Sequence, residues 1–163
     1  MERRFLYQLG HNNLAKEDYL EAIDYFAKST VVSANDNERA EGYDGLAMAY
    51  YGKKKTNKAI EYGLKAANTY RKVGAYNEYA DAQIKLSSYH LGDNAPDRAL
   101  DVLQKLERFA KDNGSRYYEA KALLEQSLVF KHKNDEQNAI DSLNIGTNIA
   151  KEIGAKDLLS ATK

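Results

Sequence analysis

The side-chain types that most often carry catalysis or bind metal are few in this chain. Cysteine is absent, and the three histidines, His11, His90 and His132, lie far apart in the sequence. No histidine, aspartate or glutamate residues recur at a spacing that would place metal ligands together on one helix face. No serine has the local signature of an activated nucleophile. We therefore predict no catalytic residue, no metal site and no cofactor, and a protein that is not an enzyme.

The charge balance excludes broad electrostatic binding. Lysine and arginine together number 24, as do aspartate and glutamate, so the formal net charge is zero. Binding to nucleic acid or to an anionic membrane surface draws on a basic surplus. No apolar run approaches the roughly 18 residues of a membrane span, and the N-terminus lacks the apolar stretch of a signal peptide. We predict no nucleic-acid partner, no membrane association and a cytoplasmic location.

A regular period organises the chain. Gly74, Gly114 and Gly154 stand 40 residues apart, and each follows a stretch of periodic apolar residues. A fixed period of roughly 20–50 residues indicates stacked supersecondary units, in which each unit packs on its neighbours. A second marker, an alanine followed by isoleucine or leucine, recurs with nearly the same spacing at Ala22, Ala59, Ala99 and Ala139.

Each unit contains two predicted helices separated by a polar break. In the third unit, Leu86 lies on the first helix and Gly92 begins the break, whereas Leu103 and Leu106 lie on the second helix at helical spacing. Pro96, the single proline, falls near the first turn of that second helix, where its missing N–H costs little. The spacing therefore predicts a helix–turn–helix unit.

Local residue types predict where these helices begin and end. Asn94, Asn134 and Thr56 lie just before second helices and are predicted N-caps. The three periodic glycines follow long second helices, so we predict that they adopt the left-handed conformation that ends a helix.

The residues at corresponding positions of the units resemble the tetratricopeptide repeat. That family places a large apolar residue, Leu-Gly and then Tyr on its first helix, and Ala followed by an aromatic residue on its second. Three of the four units lack the first-helix glycine, and the period is 40 residues where about 34 is usual. The matching residues are Leu6, Leu9, Gly10, Ala22 and Phe26 in the first unit, Tyr43, Leu46, Tyr50 and Ala59 in the second, Leu86, Ala99 and Leu103 in the third, and Leu123, Phe130, Ala139 and Leu143 in the fourth.

The resemblance implies an all-α fold, a right-handed α-solenoid of tandem helix–turn–helix repeats. The longer period resembles the extended-repeat branch found in Leu-Gly-Asn scaffolds, kinesin light chains and bacterial signalling proteins. We predict a single array over residues 1–163, with repeats at approximately 1–36, 37–74, 75–114 and 115–154 and a partial helix at 155–163. That last helix is interpreted either as the start of a further repeat in a longer protein or as a short cap.

The resemblance also implies which positions face a concave groove lined by the first helices. Their mixed character suits an extended peptide or a helix with apolar anchors and a charged flank. The alternative is that they are ordinary, partly exposed helix residues that bind nothing. Transferred by register, the predicted groove residues are Tyr7, His11, Asp44, Met48, Tyr51, Asp81, Ile84, Ser88, Leu91, Lys121, Leu124, Leu128 and Lys131.

These observations predict a non-enzymatic scaffold that binds a protein or peptide partner in its groove. An alternative is a sensory or regulatory segment of a larger bacterial signalling protein, such as a transcription regulator or a histidine kinase. A further hypothesis is a homodimer that forms through the open array ends, around Leu158 and Leu159.

Overall fold

The computed structural model describes residues 2–161, and over this range the chain forms nine α-helices and no β-strand. The helices alternate with short turns, as expected for helix–turn–helix units, and the predicted all-α class is confirmed. We call α1, α3, α5 and α7 the first helices, and α2, α4, α6 and α8 the second helices. Their bounds are α1 (Glu2–Ala15), α2 (Tyr19–Val31), α3 (Asp36–Gly52), α4 (Thr56–Lys72), α5 (Tyr76–Gly92), α6 (Pro96–Asp112), α7 (Arg116–His132), α8 (Glu136–Ile153) and α9 (Lys156–Ser160).

The chain separates into two compact units that divide after Asp93. In the first unit each of α1 to α4 packs against the helix that follows it, and α1 also touches α3. In the second unit α7 packs against both α6 and α8, and α8 packs against α9. Packing between neighbours in sequence is the defining contact pattern of repeat proteins.

The pattern of buried residues differs between a first helix and a second helix of this unit. α7 packs against a helix on each side, so its buried residues cover more than one face, whereas α6 buries a single stripe. A stripe at helical spacing is easy to recognise in a sequence, and a helix buried on two sides is not. The buried stripe of α6 consists of Ala99, Leu100, Leu103, Leu106 and Ala110.

The periodic glycines end the second helices in the left-handed conformation. Gly74, Gly114 and Gly154 have φ angles of 78°, 70° and 69°, which confirms the prediction made from their spacing. A residue without a Cβ adopts this conformation at no steric cost.

The turns between a first and a second helix carry left-handed residues that are not glycine. Asparagine tolerates this conformation better than most residues because its short polar side chain bonds locally. The residues, with φ angles of 57–65°, are Glu17, Lys54, Asn94 and Asn134.

The predicted N-caps were wrong. Asn94 and Asn134 lie one residue before the N-cap positions, which belong to Ala95 and Asp135. Thr56 is the first residue of α4 rather than its cap. Asparagine at these turns therefore supplies the left-handed backbone, a role that competes with capping for the same residue type.

A phenylalanine ring enclosed by two glycines holds α1, α2 and α3 together. Phe26 of α2 is fully buried. A Cβ added to Gly10 of α1 would lie 2.7 Å from the ring atom Cδ1, and one added to Gly45 of α3 would lie 2.5 Å from it. Cβ contacts in real proteins essentially never fall below 3.0 Å, so the ring occupies the space that the two missing side chains leave.

The core of the second unit joins α7, α8 and α9. Leu123 of α7 and Ile149 of α8 are buried together with Leu158 of α9. The Tyr117 hydroxyl donates a hydrogen bond of 2.6 Å to Oδ2 of Asp157, which ties the short α9 to α7. The short helix α9 is thus held by both apolar burial and a hydrogen bond.

We predict that Gly45→Ala destabilises the protein by about 1–3 kcal/mol, the usual cost of overpacking a core. Alanine in a helix interior normally gains about 0.5–1 kcal/mol over glycine. Here the added methyl group would overlap the fully buried Phe26 ring, so we expect the packing cost to exceed this gain. Urea denaturation followed by circular dichroism measures the change.

The control is the combination of Gly45→Ala with Phe26→Leu, which gives the methyl group room. We expect Gly45→Ala to cost less in the Phe26→Leu background than in the wild type. Equal costs in the two backgrounds would contradict the proposed contact.

Candidate functional site

A groove of about 630 Å³ lies in the second unit, between α7, α8 and α9. We call it the α7–α8 groove. Its apolar lining residues include Leu124, Leu128, Ala139, Ile140, Leu143 and Leu158, and its charged lining residues are Lys121, Glu125, Lys131, Glu136 and Asp157.

Two large aliphatic side chains of the groove face solvent. Leu128 of α7 is 58% exposed and Ile140 of α8 is 50% exposed. Single exposed apolar residues are ordinary, but adjacent ones that line one concave surface are typical of interaction sites. The groove therefore has the apolar anchors that a binding surface requires.

A close approach of α7 and α8 positions the floor of the groove. Gly146 of α8 is buried, and a Cβ added to it would lie 3.0 Å from Cγ of Leu124. The missing side chain lets Leu124 lie against α8 while the rest of its surface remains part of the groove.

Charged groups of both signs flank the apolar lining. At one end, Lys121 Nζ lies 5.9 Å from the centroid of the Tyr117 ring, and the Tyr117 hydrogen bond holds the pKa of Asp157 below its usual range. At the other end lie Lys131 in the last turn of α7 and Glu136 in the first turn of α8. Such flanks favour a partner with charges of its own.

Glu125 of α7 is a half-buried charge of this groove. Burial raises the pKa of its carboxyl, and the nearby Lys121 charge only partly offsets this. Among the described residues 2–161, no hydrogen bond or ion pair involves the Glu125 carboxylate. A half-buried carboxylate without such a partner costs stability in the isolated chain.

The structure brings together four of the predicted groove residues. Lys121, Leu124, Leu128 and Lys131, all on α7, line the α7–α8 groove. Their role in binding a partner stays a prediction.

Several predicted groove residues of the first unit contact other side chains of that unit. The ring of Tyr7 lies edge-on to His11, with centroids 4.6 Å apart, and also contacts Phe26. Tyr51 packs against Tyr89 at 4.9 Å and its hydroxyl donates to the carbonyl oxygen of Ser88 at 3.5 Å. The remaining predicted residues of the three first helices, Met48, Asp81, Ile84 and Leu91, are half-buried.

An ion pair crosses from α3 to α5. Lys85 Nζ of α5 lies 2.8 Å from Oδ2 of Asp44 on α3, and the Asp44 side chain is mostly buried. The carboxylate of Asp44 is thus already paired within the unit, which leaves it less available to a ligand than an unpaired acid.

The electrostatics around Tyr7 follow from burial and nearby acids. Burial raises the pKa of Tyr7 to about 12, and the charges of Glu41 and Asp44 act in the same direction. Burial also lowers the pKa of His11, although Asp44 opposes this effect. The lowered pKa favours the neutral form of the His11 imidazole.

Most lining residues of the α7–α8 groove were not among the predicted site residues, including Glu125, Ile140 and Leu143. Glu125 lies on α7 beside predicted positions, and Ile140 and Leu143 lie on α8. The family register marks groove positions on first helices only, so it could not predict lining residues on a second helix such as α8. The sequence signal that could have indicated Ile140 is the isoleucine or leucine that follows the periodic alanine in each unit.

Other kinds of site were also sought in the described part of the chain. No three histidine, aspartate or glutamate side chains of residues 2–161 gather as metal ligands. None of the helices in that range combines the length and apolar character that crossing a membrane requires.

No protein-family model and no curated protein matches the chain. Solved structures do resemble it. The apo form of RapI is 16% identical, with a TM-score of 0.82, over 94% of this chain and 58% of RapI. Aspartyl phosphate phosphatase F from Bacillus subtilis is 10% identical, with a TM-score of 0.84, over 98% of this chain and 43% of the phosphatase.

A third similar structure is a Rap protein complexed with Competence and Sporulation Factor, which is 20% identical with a TM-score of 0.75. The match covers 98% of this chain and 46% of that protein, so the chain spans about half the length of these neighbours. At these identities the likeness shows the fold alone. It confirms the predicted fold class, an all-α chain of tandem helix–turn–helix repeats.

We predict that Glu125→Gln raises the melting temperature at neutral pH. Because burial raises the pKa of Glu125, the folded state binds its proton more tightly than the unfolded chain does. The stabilising contribution of this group is fully present below the ordinary carboxyl pKa of about 4.3, and it is lost as the pH rises through the folded-state pKa. Glutamine has no charge to bury, so its advantage should vanish near pH 3.5, below about 4.3.

Thermal denaturation of both proteins across this pH range measures the effect. The matched control is Glu136→Gln, at an exposed position of the same groove. A melting-temperature gain from Glu125→Gln that is the same at low and at neutral pH would show that the charge of Glu125 is not its cause.

Proposed function

We propose that this chain is a protein-interaction module that binds a peptide or protein partner in the α7–α8 groove. The observation that carries the proposal is the pair of half-exposed aliphatic side chains, Leu128 and Ile140, in a groove flanked by charges of both signs. Leu124 and Leu143 form the floor, and Lys121 is one of the flanking charges.

The energetics of the groove favour binding of an apolar side chain. Full burial of a leucine or isoleucine side chain is worth about 1.5–3 kcal/mol, so covering the exposed halves of Leu128 and Ile140 would contribute roughly 1 kcal/mol each. A few apolar anchors of this kind, surrounded by polar groups, dominate most interfaces.

The predicted residues of the first unit remain part of the proposal as a second contact surface. Asp44 is already paired with Lys85, and Tyr51 is bonded to Ser88. We therefore assign the first unit a weaker role, in which the half-buried side chains of Met48 and Ile84 supply apolar contact. In this proposal the four helix pairs form one array.

One of the similar structures holds a bound factor, because it is the Rap protein complexed with Competence and Sporulation Factor. This supports a binding role for the same fold here. Action by binding rather than by catalysis is likewise a proposal, supported by the lack of nucleophile and metal signatures in the sequence. A regulatory segment of a larger signalling protein is the second candidate, and similarity to about half of each Rap neighbour favours it. The cytoplasmic location and the lack of nucleic-acid and membrane partners stay predictions.

We predict that Leu128→Asp combined with Ile140→Asp abolishes groove binding without unfolding the chain. Both positions are at least half exposed, so the new carboxylates remain hydrated while the apolar contact is lost. The probe is a phage-displayed library of random peptides of about a dozen residues, selected on the wild-type chain. Selected peptides should bind the double variant at least tenfold more weakly.

The matched control is Ile145→Asp, which lies on α8, is 52% exposed and does not line the groove. It should bind the selected peptides as the wild type does. Peptides that bind the double variant and the wild type equally would remove the groove from the proposal. Circular dichroism of all variants checks the fold.

We also predict that any homodimer through the array ends does not use Leu158, because that side chain is buried against Leu123 and Ile149. Leu159 is partly buried beside them. Sedimentation of the wild type and of Leu159→Asp over a range of concentrations tests the dimer. A dimer that Leu159→Asp dissociates would support pairing at this end, and a monomer at all concentrations would count against it.

A further inference from the structure

Positive charge is concentrated on α4 and on the turn that precedes it, in the first unit. Residues 53–72 contain seven basic residues and one acidic residue, although the whole chain has a formal net charge of zero. α4 packs against both α3 and α5, and the seven basic side chains remain exposed. We call them the α4 basic strip, which consists of Lys53, Lys54, Lys55, Lys58, Lys65, Arg71 and Lys72.

The repeat shows that this charge is not a general property of second helices. The segments one and two periods later, residues 93–112 and 133–152, each contain more acidic than basic residues. α2, α6 and α8 each have an acidic residue in the first turn, whereas α4 has none. Positive charge at the start of a helix opposes the helix dipole, so Lys55 and Lys58 disfavour the helix that they begin.

Three lysines of the strip form a row along α4. Lys58, Lys65 and Lys72 are seven residues apart, which is nearly two helical turns, so their side chains leave α4 on the same side. At 1.5 Å per residue, successive lysines of this row lie about 10.5 Å apart along the helix axis. Leu64 lies next to Lys65 and is 43% exposed, which adds apolar surface to the outward face of α4.

The two outer lysines of the row make only surface ion pairs. Lys58 Nζ lies 3.4 Å from Oε2 of Glu61, and Lys72 Nζ lies 3.6 Å from Oδ2 of Asp36. Ion pairs between exposed side chains contribute little to stability, because water screens them and the long side chains lose freedom. Both ammonium groups can therefore exchange these acids for the acids of a partner at little cost.

The central lysine of the row lies against a cluster of tyrosine rings. Lys65 Nζ is 5.0 Å from the centroid of the Tyr62 ring and 5.8 Å from that of Tyr43. Tyr62 in turn stacks on Tyr50, with centroids 5.6 Å apart and rings nearly parallel. These rings orient the ammonium group without neutralising its charge. Orientation before binding lowers the entropy that a partner must offset.

We infer that the outward face of α4 is a second interaction surface, which binds an acidic α-helix of a partner protein. The inference goes beyond the proposed function, because it concerns residues of the first unit and a partner segment of defined charge. Carboxylates repeated every seven residues on this helix would face Lys58, Lys65 and Lys72, and an apolar side chain beside them would contact Leu64. Charge complementarity of this kind selects partners and speeds their association.

The spacing of the lysine row favours a helix over an extended segment. A helix that lies along α4 presents residues seven apart at the same distance of about 10.5 Å. In an extended segment about 10 Å corresponds to three residues. Side chains three residues apart in such a segment point to opposite faces, so only one of two such carboxylates could face α4.

A protein fits this face better than a nucleic acid does. Binding to single strands combines a basic groove with aromatic faces on which bases stack. The half-buried Tyr62 ring already contacts Tyr50 and Lys65. The exposed Leu64 side chain gains from an apolar contact, which a phosphate backbone does not offer.

The test uses the full chain and a labelled helical peptide of about three heptads, with two glutamates and one leucine of each heptad on one face. Fluorescence anisotropy at low ionic strength should show saturable binding by the wild type. Combined replacement of Lys58, Lys65 and Lys72 by glutamine should weaken binding about tenfold, as expected for the loss of three exposed ion pairs. A peptide of the same composition, with its glutamates distributed around the helix, should bind several-fold more weakly.

The matched control replaces three exposed lysines of α6 and α8 by glutamine, which are Lys105, Lys111 and Lys151. Each triple variant changes the net charge equally and removes two surface ion pairs. The control should bind the acidic peptide as the wild type does. An equal loss in the two triple variants would show that only net charge matters and would overturn the inference. Circular dichroism of both variants checks the fold.

The remaining outcomes decide the class of partner. No saturable binding of the acidic peptide, or equal binding of the two glutamate arrangements, would overturn the acidic helix. Tighter binding of a single-stranded oligothymidylate through the same three lysines would overturn it in favour of nucleic acid.

One further variant keeps this inference separate from the proposed function. Leu128→Asn combined with Ile140→Asn alters the α7–α8 groove without adding charge, and it should bind the acidic peptide as the wild type does. A loss of binding in this variant would assign the peptide to the groove and overturn the α4 surface. The groove proposal is tested by the library peptides and does not depend on the lysine row.

Discussion

The structure depends on one constraint, which is that a helix pair leaves an apolar face that the next first helix must cover. In the second unit the Leu100 and Leu103 side chains are buried on α6, which packs against α7. Burial of one such side chain is worth about 1.5–3 kcal/mol, whereas the net stability of a domain is only about 5–15 kcal/mol. Loss of a single covering helix would therefore remove a large part of the stability of a unit, and this gives the repeat its order of packing.

Small residues make that covering geometrically feasible. Helices approach closely where one of them lacks a side chain, as at Gly10 and Gly45 around the Phe26 ring and at Gly146 beside Leu124. The first of these contacts builds the core of the first unit, and the second shapes the floor of a groove. The same kind of close packing thus stabilises the core around Phe26 and shapes the groove at Leu124.

The α7–α8 groove combines features that disfavour the isolated chain. Leu128 and Ile140 keep apolar surface in water, and Glu125 keeps a carboxylate in a partly buried position without a hydrogen bond among the described residues. Each feature costs stability alone and would be relieved by a suitable partner. Function commonly costs stability at the site that performs it, and the proposed partner of this groove would relieve both costs together.

The sequence by itself determined the helical class and the left-handed glycines, because period and residue type are local properties that tertiary context did not override. Asn94 and Asn134 were misassigned as caps because a turn and a cap favour the same residue type. For the candidate site, family register identified the four α7 residues that line the groove, but their binding role stays a prediction. Only the tertiary structure distinguished Ile140 from Leu100, since the two occupy equivalent positions with similar side chains. Leu100 is buried on α6, which packs against α7, whereas Ile140 stays half exposed on α8, and the coverage by a packing neighbour is not encoded in the residue that it covers.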